Sequence, residues 1–339
     1  MTTNLIYTGS AGTILPALPS ESVHCCVTSP PYYGLRDYGH PDQIGLEPTV
    51  EEYILHLVQV FRGIRRVLRK DATCWVNLGD TYASGKTGRA DTDASGRERL
   101  SQYGHKGNAN KDINQAAPMR QRKIPTGLKT KDLIGIPWMV AFALRNDGWY
   151  LRQDIIWHKP NPMPESVKDR CTNSHEYIFL LTKSARYWYD ADAIAENALY
   201  GSKGSEFHTG KTGEHQLGRA SKKRGEFNGK TNDLPGREAF RAITETRNRR
   251  SVWSIATRPY TDAHFATFPL DIPRLCISAG CPEGGIVIDP FFGAGTTGLA
   301  AMQLSRQYIG IELNPEYTAL AQKRLHPSLS QTDLFIPAP

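Results

Sequence analysis

Two stretches of the chain carry residue types whose spacing could support group-transfer chemistry. The first, VTSPPYYGL at residues 27–35, ends an apolar run against a serine, two prolines and two tyrosines. Because proline fixes φ and lacks an amide proton, Pro30 and Pro31 cannot continue a sheet ladder, and they stiffen the chain after the strand. A stiff, extended elbow results. A rigid turn whose tyrosines serve packing is one interpretation of this stretch, and a functional corner is the other.

The second stretch, GGIVIDPFFGAGTTGLAAM, places a glycine loop between a buried strand and a helix. It contains G-x-G-x-x-G at Gly293, Gly295 and Gly298, and Glu312 ends the next strand. Glycines let the backbone approach a ligand closely, and an acid at that place can accept hydrogen bonds from both hydroxyls of a ribose. The pattern predicts an adenosine-containing cofactor, with a purely structural tight turn as the alternative.

Two adenosine cofactors, NAD and S-adenosylmethionine, are compatible with this loop. Asp289 stands at the strand end directly before Pro290, Phe291 and the glycines. A carboxylate there suits a cationic amino-acid moiety better than a pyrophosphate. The sequence therefore favours S-adenosylmethionine.

The net charge of +7 is concentrated in two basic segments of the chain. Residues 84–131 carry eleven Lys and Arg against four Asp and Glu, and residues 203–250 carry twelve against six, which leaves −6 for the remainder. Clustered cations bind phosphate backbones because they release condensed counterions. The two segments predict a polyanionic partner, although solvated loops would have the same composition.

Length and composition bound the class of protein. With 339 residues, 39% of them apolar, we expect one large globular domain with inserts or two domains. No stretch reads as a signal peptide or a membrane span, so we expect a cytoplasmic protein that contacts no membrane. The six cysteines lack CxxC spacing, so we expect buried thiols and no metal site.

Strand-like and helix-like segments alternate along the chain. Apolar spacings of three and four predict a helix over residues 50–70, and SVHCCVTS and ATCWVNLGD, on either side of it, read as strands. The C-terminal part alternates GGIVIDP, TTGLAAMQL, QYIGIEL and EYTALAQKRL. This order of strand and helix predicts an α/β protein with a parallel sheet covered on both faces.

Four motifs, taken in order, resemble those of the β-class DNA amino-methyltransferases, which methylate cytosine N4 or adenine N6. They are VTSPPY at 27–32, HFATFP at 264–269, DPFFGAGTT at 289–297 and IGIELNPEY at 309–317. The acceptor motif comes first and the cofactor motif last, as that class arranges them. The resemblance implies a Rossmann-like, doubly wound sheet of seven mostly parallel strands, one of them antiparallel, with basic loop-rich inserts.

The resemblance also implies a domain layout and a set of site residues. Residues 1–200 would be the catalytic part with the SPPY motif and the basic insert, residues 203–250 the target-recognition region, and residues 251–330 the cofactor-binding part of the same methyltransferase domain. Ser29, Pro30, Pro31 and Tyr32 are the expected catalytic residues. The expected cofactor-binding residues are Phe265, Thr267, Pro269, Asp289, Pro290, Phe291, Gly293, Gly295, Thr296, Thr297 and Glu312. Ser10 departs from the acid that members often carry there, which puts an adenine contact in doubt.

The expected reaction is methyl transfer to an exocyclic amine of a base flipped out of double-stranded DNA. Ser29 Oγ and the Pro30 carbonyl would accept the amine protons, and Tyr32 would stack on the base. Tyr33 could assist or pack. IIWHKPNPMPES at 155–166 resembles the segment that flanks the base, so Trp157, Lys159 and Asn161 are candidates for base or backbone contacts, with a core role as the alternative for Trp157.

The choice of base and of partners stays open at this point. Serine before the prolines favours cytosine N4 over adenine N6, which is a family correlation. An RNA or protein-glutamine methyltransferase, an NAD oxidoreductase and a non-catalytic DNA-binding protein are the alternatives. The recognition sequence and the oligomeric state, a homodimer included, are left open. So is the existence of a restriction endonuclease partner.

Overall fold

The computed structural model describes residues 2–35, 40, 42–83, 127–197, 246–257 and 268–332, with side chains described up to residue 325. Most of the two basic inserts, together with Phe265 and Thr267, lies outside these residues. Contacts divide the chain into two compact units, Met1–Tyr189 with Ser251–Pro339 and Asp190–Arg250. Within the described part, the helices are too short or too polar to cross a bilayer.

Eight strands of the first unit form one sheet, and two short strands pair in the second unit. The strands are β1 (Leu5–Thr8), β2 (Val23–Thr28), β3 (Leu68–Leu78), β4 (Tyr150–His158), β5 (His175–Thr182), β6 (Glu196–Asn197), β7 (Thr246–Arg247), β8 (Val252–Ser254), β9 (Ile286–Asp289) and β10 (Gln307–Glu312). The helices are α1 (Ala11–Ile14), α2 (Val50–Val67), α3 (Ile136–Asn146), α4 (Asp271–Gly280), α5 (Thr296–Gln303) and α6 (Pro315–Thr332).

The strand order across the large sheet is β1, β10, β9, β2, β3, β5, β4, β8. Neighbouring strands are parallel except that β5 runs antiparallel to both β3 and β4. The expected mostly parallel sheet with one antiparallel strand is confirmed. The sheet has one strand more than the expected seven, because the three-residue β8 adds to the edge beside β4.

Helices cover both faces of this sheet, as the alternation of elements predicted. Successive residues of a strand face opposite sides. Cys26 of β2 lies in the core formed with α2 and α3. Cys25 contacts Thr73 on the other face, where the Thr73 hydroxyl donates to the Gly280 carbonyl at the end of α4 at 2.9 Å. The arrangement is a doubly wound α/β fold.

Helix α2 packs on the sheet beside residues 29–32, which are called the SPPY corner or proline corner below. Thr49 caps its N-terminus by accepting a hydrogen bond from the Glu52 amide at 3.2 Å. The helix ends at Val67, three residues before the predicted end, because β3 begins directly at Leu68. Tyr53, on the buried face, donates its hydroxyl to the Pro31 carbonyl at 2.8 Å. The helix therefore holds the corner that follows β2.

The centre of the sheet is a topological switch point. From β2 the chain continues to β3 on one side, and from β9 it continues to β10 on the other side. Ligands of open α/β sheets bind above the carboxyl ends of the strands where the order reverses in this way. The SPPY corner and the glycine loop both begin at that point.

Asp80, just after β3, supplies the missing cap of α3. The N-cap position of this helix is Gly135, which has no side chain to accept a hydrogen bond. The Asp80 carboxylate accepts from the amides of Gly135, at 3.0 Å, and Ile136, at 3.1 Å, and from its neighbour Thr81. Burial raises the pKa of Asp80, and the three amides oppose that rise.

We predict that Asp80→Ala lowers the free energy of unfolding by about 1–2 kcal/mol, because it removes the only side-chain acceptor described at the start of α3. Asp80→Asn is the matched control, since it keeps one acceptor oxygen and should lose less. Urea unfolding followed by circular dichroism measures both variants. An Asp80→Ala protein as stable as the wild type would contradict the capping role.

Candidate functional site

The SPPY corner and the glycine loop lie side by side at the carboxyl ends of β2 and β9. The two strands pair in parallel, with Cys25 opposite Val287 and Cys26 opposite Ile288. Neighbouring strands are about 5 Å apart. At their ends the Thr28 hydroxyl donates to Asp289 Oδ1 at 2.7 Å, across 261 positions of sequence. The two candidate motifs of the sequence therefore form one site.

Asp289 is the internal anchor of this site. Its side chain is 1% exposed. Oδ1 accepts from the Thr28 hydroxyl and from the Phe291 amide at 3.0 Å, and Oδ2 accepts from the Thr297 hydroxyl at 2.7 Å. Burial raises the pKa of the carboxyl to about 6, although these donors favour its charged form. Asp289 thus connects β2, the glycine loop and the start of α5. Its predicted contact with a cofactor stays a prediction.

The three glycines of the loop have different tasks. Gly293 has φ +50°, and a Cβ built on it meets no atom within 4 Å. Gly295 has φ +77° at the N-cap of α5, and a Cβ there would lie 3.1 Å from the Ala321 side chain. A Cβ on Gly298 would lie 2.6 Å from the ring of Phe292. Gly295 and Gly298 permit close packing, whereas Gly293 faces the space that a ligand could fill.

Glu312 closes the far side of the loop. It ends β10, and its Oε2 accepts the Gly293 amide at 2.7 Å while Oε1 accepts the Asn314 amide at 2.9 Å. Burial raises the pKa of this carboxyl above its usual value. This half-buried carboxylate borders the open space at Gly293, and its contact with a ribose stays a prediction.

The other predicted cofactor residues of the described part are mostly turned inward. Thr297 donates to Asp289, and Thr296 accepts from Arg324 at 3.0 Å. Phe291 is half-buried against the core. Pro290 and Pro269 are buried, and Ser10 caps α1 by accepting a hydrogen bond from the Thr13 amide. Direct cofactor contacts of these side chains stay predictions, as do those of Phe265 and Thr267.

The proline corner is held from the side of α2. Pro30 is buried, and the carbonyl of Pro31 accepts a hydrogen bond from the Tyr53 hydroxyl. Tyr33 is buried too, with its ring centroid 5.4 Å from that of Tyr53. Of the two roles open to Tyr33, the structure shows packing. Ser29 is half-buried.

Tyr32 is fixed by polar residues of β3 and β5. Its hydroxyl donates to Glu176 Oε2 at 2.6 Å and accepts from Asn77 Nδ2 at 2.9 Å. Asn77 Nδ2 also lies 2.9 Å from the same Glu176 oxygen. A Cβ on Gly79 would lie 2.6 Å from the ring, so the ring lies against backbone there. Burial, and then the negative charge of Glu176, raise the pKa of Tyr32 well above its usual value, so the phenol stays protonated.

Asn77 and Glu176 are absent from the set predicted from the sequence. The signal was present in the form of polar residues in otherwise apolar strands, Asn77 in ATCWVNL and Glu176 in HEYIFLLT. The antiparallel direction of β5 brings its N-terminal end to the edge where β3 and β4 end. The amino-acid types alone do not show which strand of the sheet runs antiparallel to its neighbours.

Side chains at the end of β4 and directly after it form contacts with other groups of the protein. Trp157 is buried and donates its indole N–H to the Ile255 carbonyl at 2.9 Å, which is the core role. Lys159 forms an ion pair with Glu176 and lies 4.6 Å from the centre of the Trp157 ring. The Asn161 amide exchanges hydrogen bonds with the backbone of Thr257.

The described part of the second unit contains three arginines of the second basic insert. Glu196 accepts from Arg247 at 2.9 Å and from Arg250 at 2.7 Å. Arg249 donates to the Ile194 carbonyl at 2.9 Å. These contacts connect residues 194–196, near the start of the unit, with residues 247–250 at its end.

Comparison with known proteins gives a consistent result over nearly the whole chain. A family model for DNA methylases, of the N6 and N4 methyltransferase type, matches residues 23–323. Type II methyltransferase M.Cfr9I of Citrobacter freundii is 45% identical over 321 residues, which cover 94% of this chain and 87% of that protein. Type II methyltransferase M.SmaI of Serratia marcescens is 44% identical, covering 94% of this chain and 90% of that protein.

Two solved structures share the fold at low sequence identity. The PvuII DNA methyltransferase, described as cytosine-N4-specific, aligns with a TM-score of 0.57 at 16% identity, covering 98% of this chain and 93% of that one. TTHA0409 of Thermus thermophilus, described as a putative DNA modification methylase complexed with S-adenosyl-L-methionine, aligns with a TM-score of 0.52 at 21% identity, covering 96% and 95%.

We predict that the stability of the wild type relative to Asp289→Asn falls as the pH rises from about 4 to about 7.5. The pKa of Asp289 is about 6 in the fold, against an ordinary value of 3.8. A raised acid pKa stabilises the fold at low pH, and this contribution is lost as the pH passes the folded-state pKa. The difference in unfolding free energy should change by about 3 kcal/mol in favour of the asparagine variant.

Urea unfolding of both proteins at several pH values measures this difference. Glu51→Gln, which neutralises an exposed acid in the first turn of α2, is the control and should show no comparable trend. A pH-independent difference between the wild type and Asp289→Asn would contradict the burial of a charged Asp289.

Proposed function

Because the chain belongs to the DNA methylase family of N6 and N4 methyltransferases, we propose that it transfers a methyl group from S-adenosylmethionine to an exocyclic amino group of a base in double-stranded DNA. The observation that carries this proposal is the meeting of the SPPY corner and the glycine loop at the ends of β2 and β9. One motif is suited to hold a methyl acceptor and the other a methyl donor.

The residues at the glycine loop fit S-adenosylmethionine. The open space beside Gly293 gives the ligand a place to approach the backbone, and Glu312 borders it with a carboxylate for the ribose. When bound, this cofactor supplies an activated methyl group on a cationic sulfonium. Burial raises the pKa values of two carboxyls here, those of the buried Asp289 and the half-buried Glu312, because it disfavours their charged forms. A cationic ligand would favour those charged forms.

The acceptor side of the reaction is the work of Ser29 and Pro30. An exocyclic amine is a poor nucleophile because its lone pair is delocalised into the ring of the base. Ser29 Oγ and the Pro30 carbonyl would accept its two protons and favour a tetrahedral nitrogen, which is stabilisation aimed at the transition state. The prolines and the Tyr53 hydrogen bond keep these acceptors in place without ordering at each turnover.

The base must leave the duplex to reach this site, since the amine is inaccessible inside the helix. The ring of Tyr32 would stack on the flipped base, an interaction that is worth about 1–3 kcal/mol per base. The nitrogen becomes acidic once it is alkylated, so no strong base is needed to remove its proton. In this scheme Ser29 is a hydrogen-bond acceptor and forms no covalent intermediate.

We propose cytosine N4 as the acceptor atom, ahead of adenine N6, because serine precedes the two prolines. The test is to incubate the protein with labelled S-adenosylmethionine and unmethylated DNA, digest the DNA, and identify the modified nucleoside by mass spectrometry. N4-methyl-2′-deoxycytidine is the expected product. N6-methyl-2′-deoxyadenosine would overturn the choice of base, and the absence of any methylated nucleoside would overturn the proposed function.

The layout of the chain supports a division of labour between its parts. Residues 203–250 stand where the family places its target-recognition region, and their net charge of +6 suits contact with phosphates. The rest of the chain, residues 1–200 and 251–330, would then hold the cofactor and the base. Relatives named Type II methyltransferases support the proposal that the chain protects a specific DNA site in partnership with a restriction endonuclease.

We predict that Ser29→Ala lowers the rate of methyl transfer about 100-fold at saturating cofactor, because one of two fixed acceptors is lost. Single-turnover incorporation of labelled methyl groups into DNA measures the rate. Cofactor affinity in the same variant is the internal control and should stay within about twofold. A variant with the wild-type transfer rate would contradict the acceptor role.

We predict that Gly293→Val abolishes cofactor binding, because the side chain occupies the open space beside the loop. Gly284→Val is the matched control, since Gly284 has φ +70° and an equally open Cβ position in an exposed turn. Both variants carry strain in the left-handed region, but only Gly293→Val should lose affinity in a calorimetric titration with S-adenosylmethionine. Equal affinities would refute the placement of the cofactor.

A further inference from the structure

We propose that Glu176 is a positioning residue for the transfer step, which acts by holding the ring of Tyr32 in the orientation that receives the base. This inference rests on the proposed function and names a residue that the SPPY motif does not contain. It is carried by the polar group formed by Tyr32, Asn77, Lys159 and Glu176 beneath the proline corner.

The Tyr32 ring is held at two points. Backbone at Gly79 lies against its edge, where a Cβ would come within 2.6 Å. At the other end, the phenol donates to Glu176 Oε2 at 2.6 Å. A hydrogen bond to a carboxylate is about twice as strong as one between neutral groups. The ring is therefore oriented before a base arrives, and stacking incurs less ordering entropy.

Both oxygens of Glu176 are occupied by the protein. Oε2 accepts from Tyr32 and Asn77, and Oε1 faces the ammonium of Lys159. The Glu176 side chain is 13% exposed, and that of Lys159 is 20% exposed. A carboxylate in such surroundings needs a cation, and Lys159 supplies it while its ammonium also lies over the Trp157 ring. Glu176 thus acts through Tyr32 and does not itself contact the base.

Asn77 connects the same polar group to Ser29, the first residue of the corner. Its Nδ2 carries two N–H donors. It lies 2.9 Å from the Tyr32 hydroxyl and from the Glu176 carboxylate, and 3.4 Å from the Ser29 hydroxyl. The polar group therefore holds the stacking ring and reaches the proposed acceptor hydroxyl through its longest contact.

A double-mutant cycle tests whether Glu176 acts through the Tyr32 hydroxyl. Tyr32→Phe keeps the ring and removes the hydroxyl, and Glu176→Gln keeps the shape and removes the charge. The readouts are the single-turnover rate of methyl transfer from labelled S-adenosylmethionine to unmethylated phage DNA, the affinity for the cofactor, and the midpoint of urea unfolding.

Each single variant should lower the transfer rate about tenfold, with cofactor affinity within about twofold of the wild type. The double variant should also be lowered about tenfold, because the second change finds the interaction already absent. If Glu176→Gln does not fold, Glu176→Asp, which withdraws the carboxylate by one methylene group, completes the same cycle.

Three outcomes would overturn the inference. These are a wild-type rate in the Glu176 variant, a double variant lowered about 100-fold as the product of independent effects, and a loss of rate that follows cofactor affinity. A wild-type protein that transfers no methyl group to DNA would instead contradict the proposed function. The two failures are therefore distinguishable.

Discussion

The site depends on one buried hydrogen bond, from the Thr28 hydroxyl to the Asp289 carboxylate. It joins the last residues of two parallel strands that are far apart in sequence, at the point where the order of the sheet reverses. Asp289 also accepts hydrogen bonds from the Thr297 hydroxyl and the Phe291 amide. One carboxylate therefore fixes β2, the glycine loop and the start of α5. A buried charge is costly, and the three donors offset only part of this cost, because the pKa of Asp289 is still raised to about 6.

Around this anchor the protein uses rigid groups in place of mobile ones. Prolines and the Tyr53 hydroxyl hold the corner, and Glu312 holds the amide of Gly293. Tyr32 is held between backbone at Gly79 and the carboxylate of Glu176. Methyl transfer between two bound partners gains most from alignment of the reacting atoms. A site built largely of fixed acceptors and a fixed ring suits that requirement.

Much of this arrangement could be predicted from the sequence, for reasons that are local. Pro30 and Pro31 end the strand before them, and the glycines form the turn between a strand and a helix. Both features depend on backbone properties of a few neighbouring residues. The doubly wound fold follows from the alternation of elements. The cofactor contacts of Gly293, Glu312, Thr296 and Thr297 stay predictions, since a motif names a position but does not say which way its side chain faces.

The remaining parts depend on tertiary neighbours. Glu176 reaches Tyr32 only because β5 runs antiparallel to its neighbours, and Asp80 caps a helix whose first residue lies 56 positions away in sequence. The end of α2 at Val67 is likewise decided by β3, which begins pairing at once. The most direct test of the account is a crystal structure of the protein with S-adenosylmethionine. We expect the methyl carbon about 5–6 Å from Ser29 Oγ, which leaves room for one amine nitrogen between them. A methyl group directed away from the proline corner, more than about 10 Å from Ser29, would contradict the account.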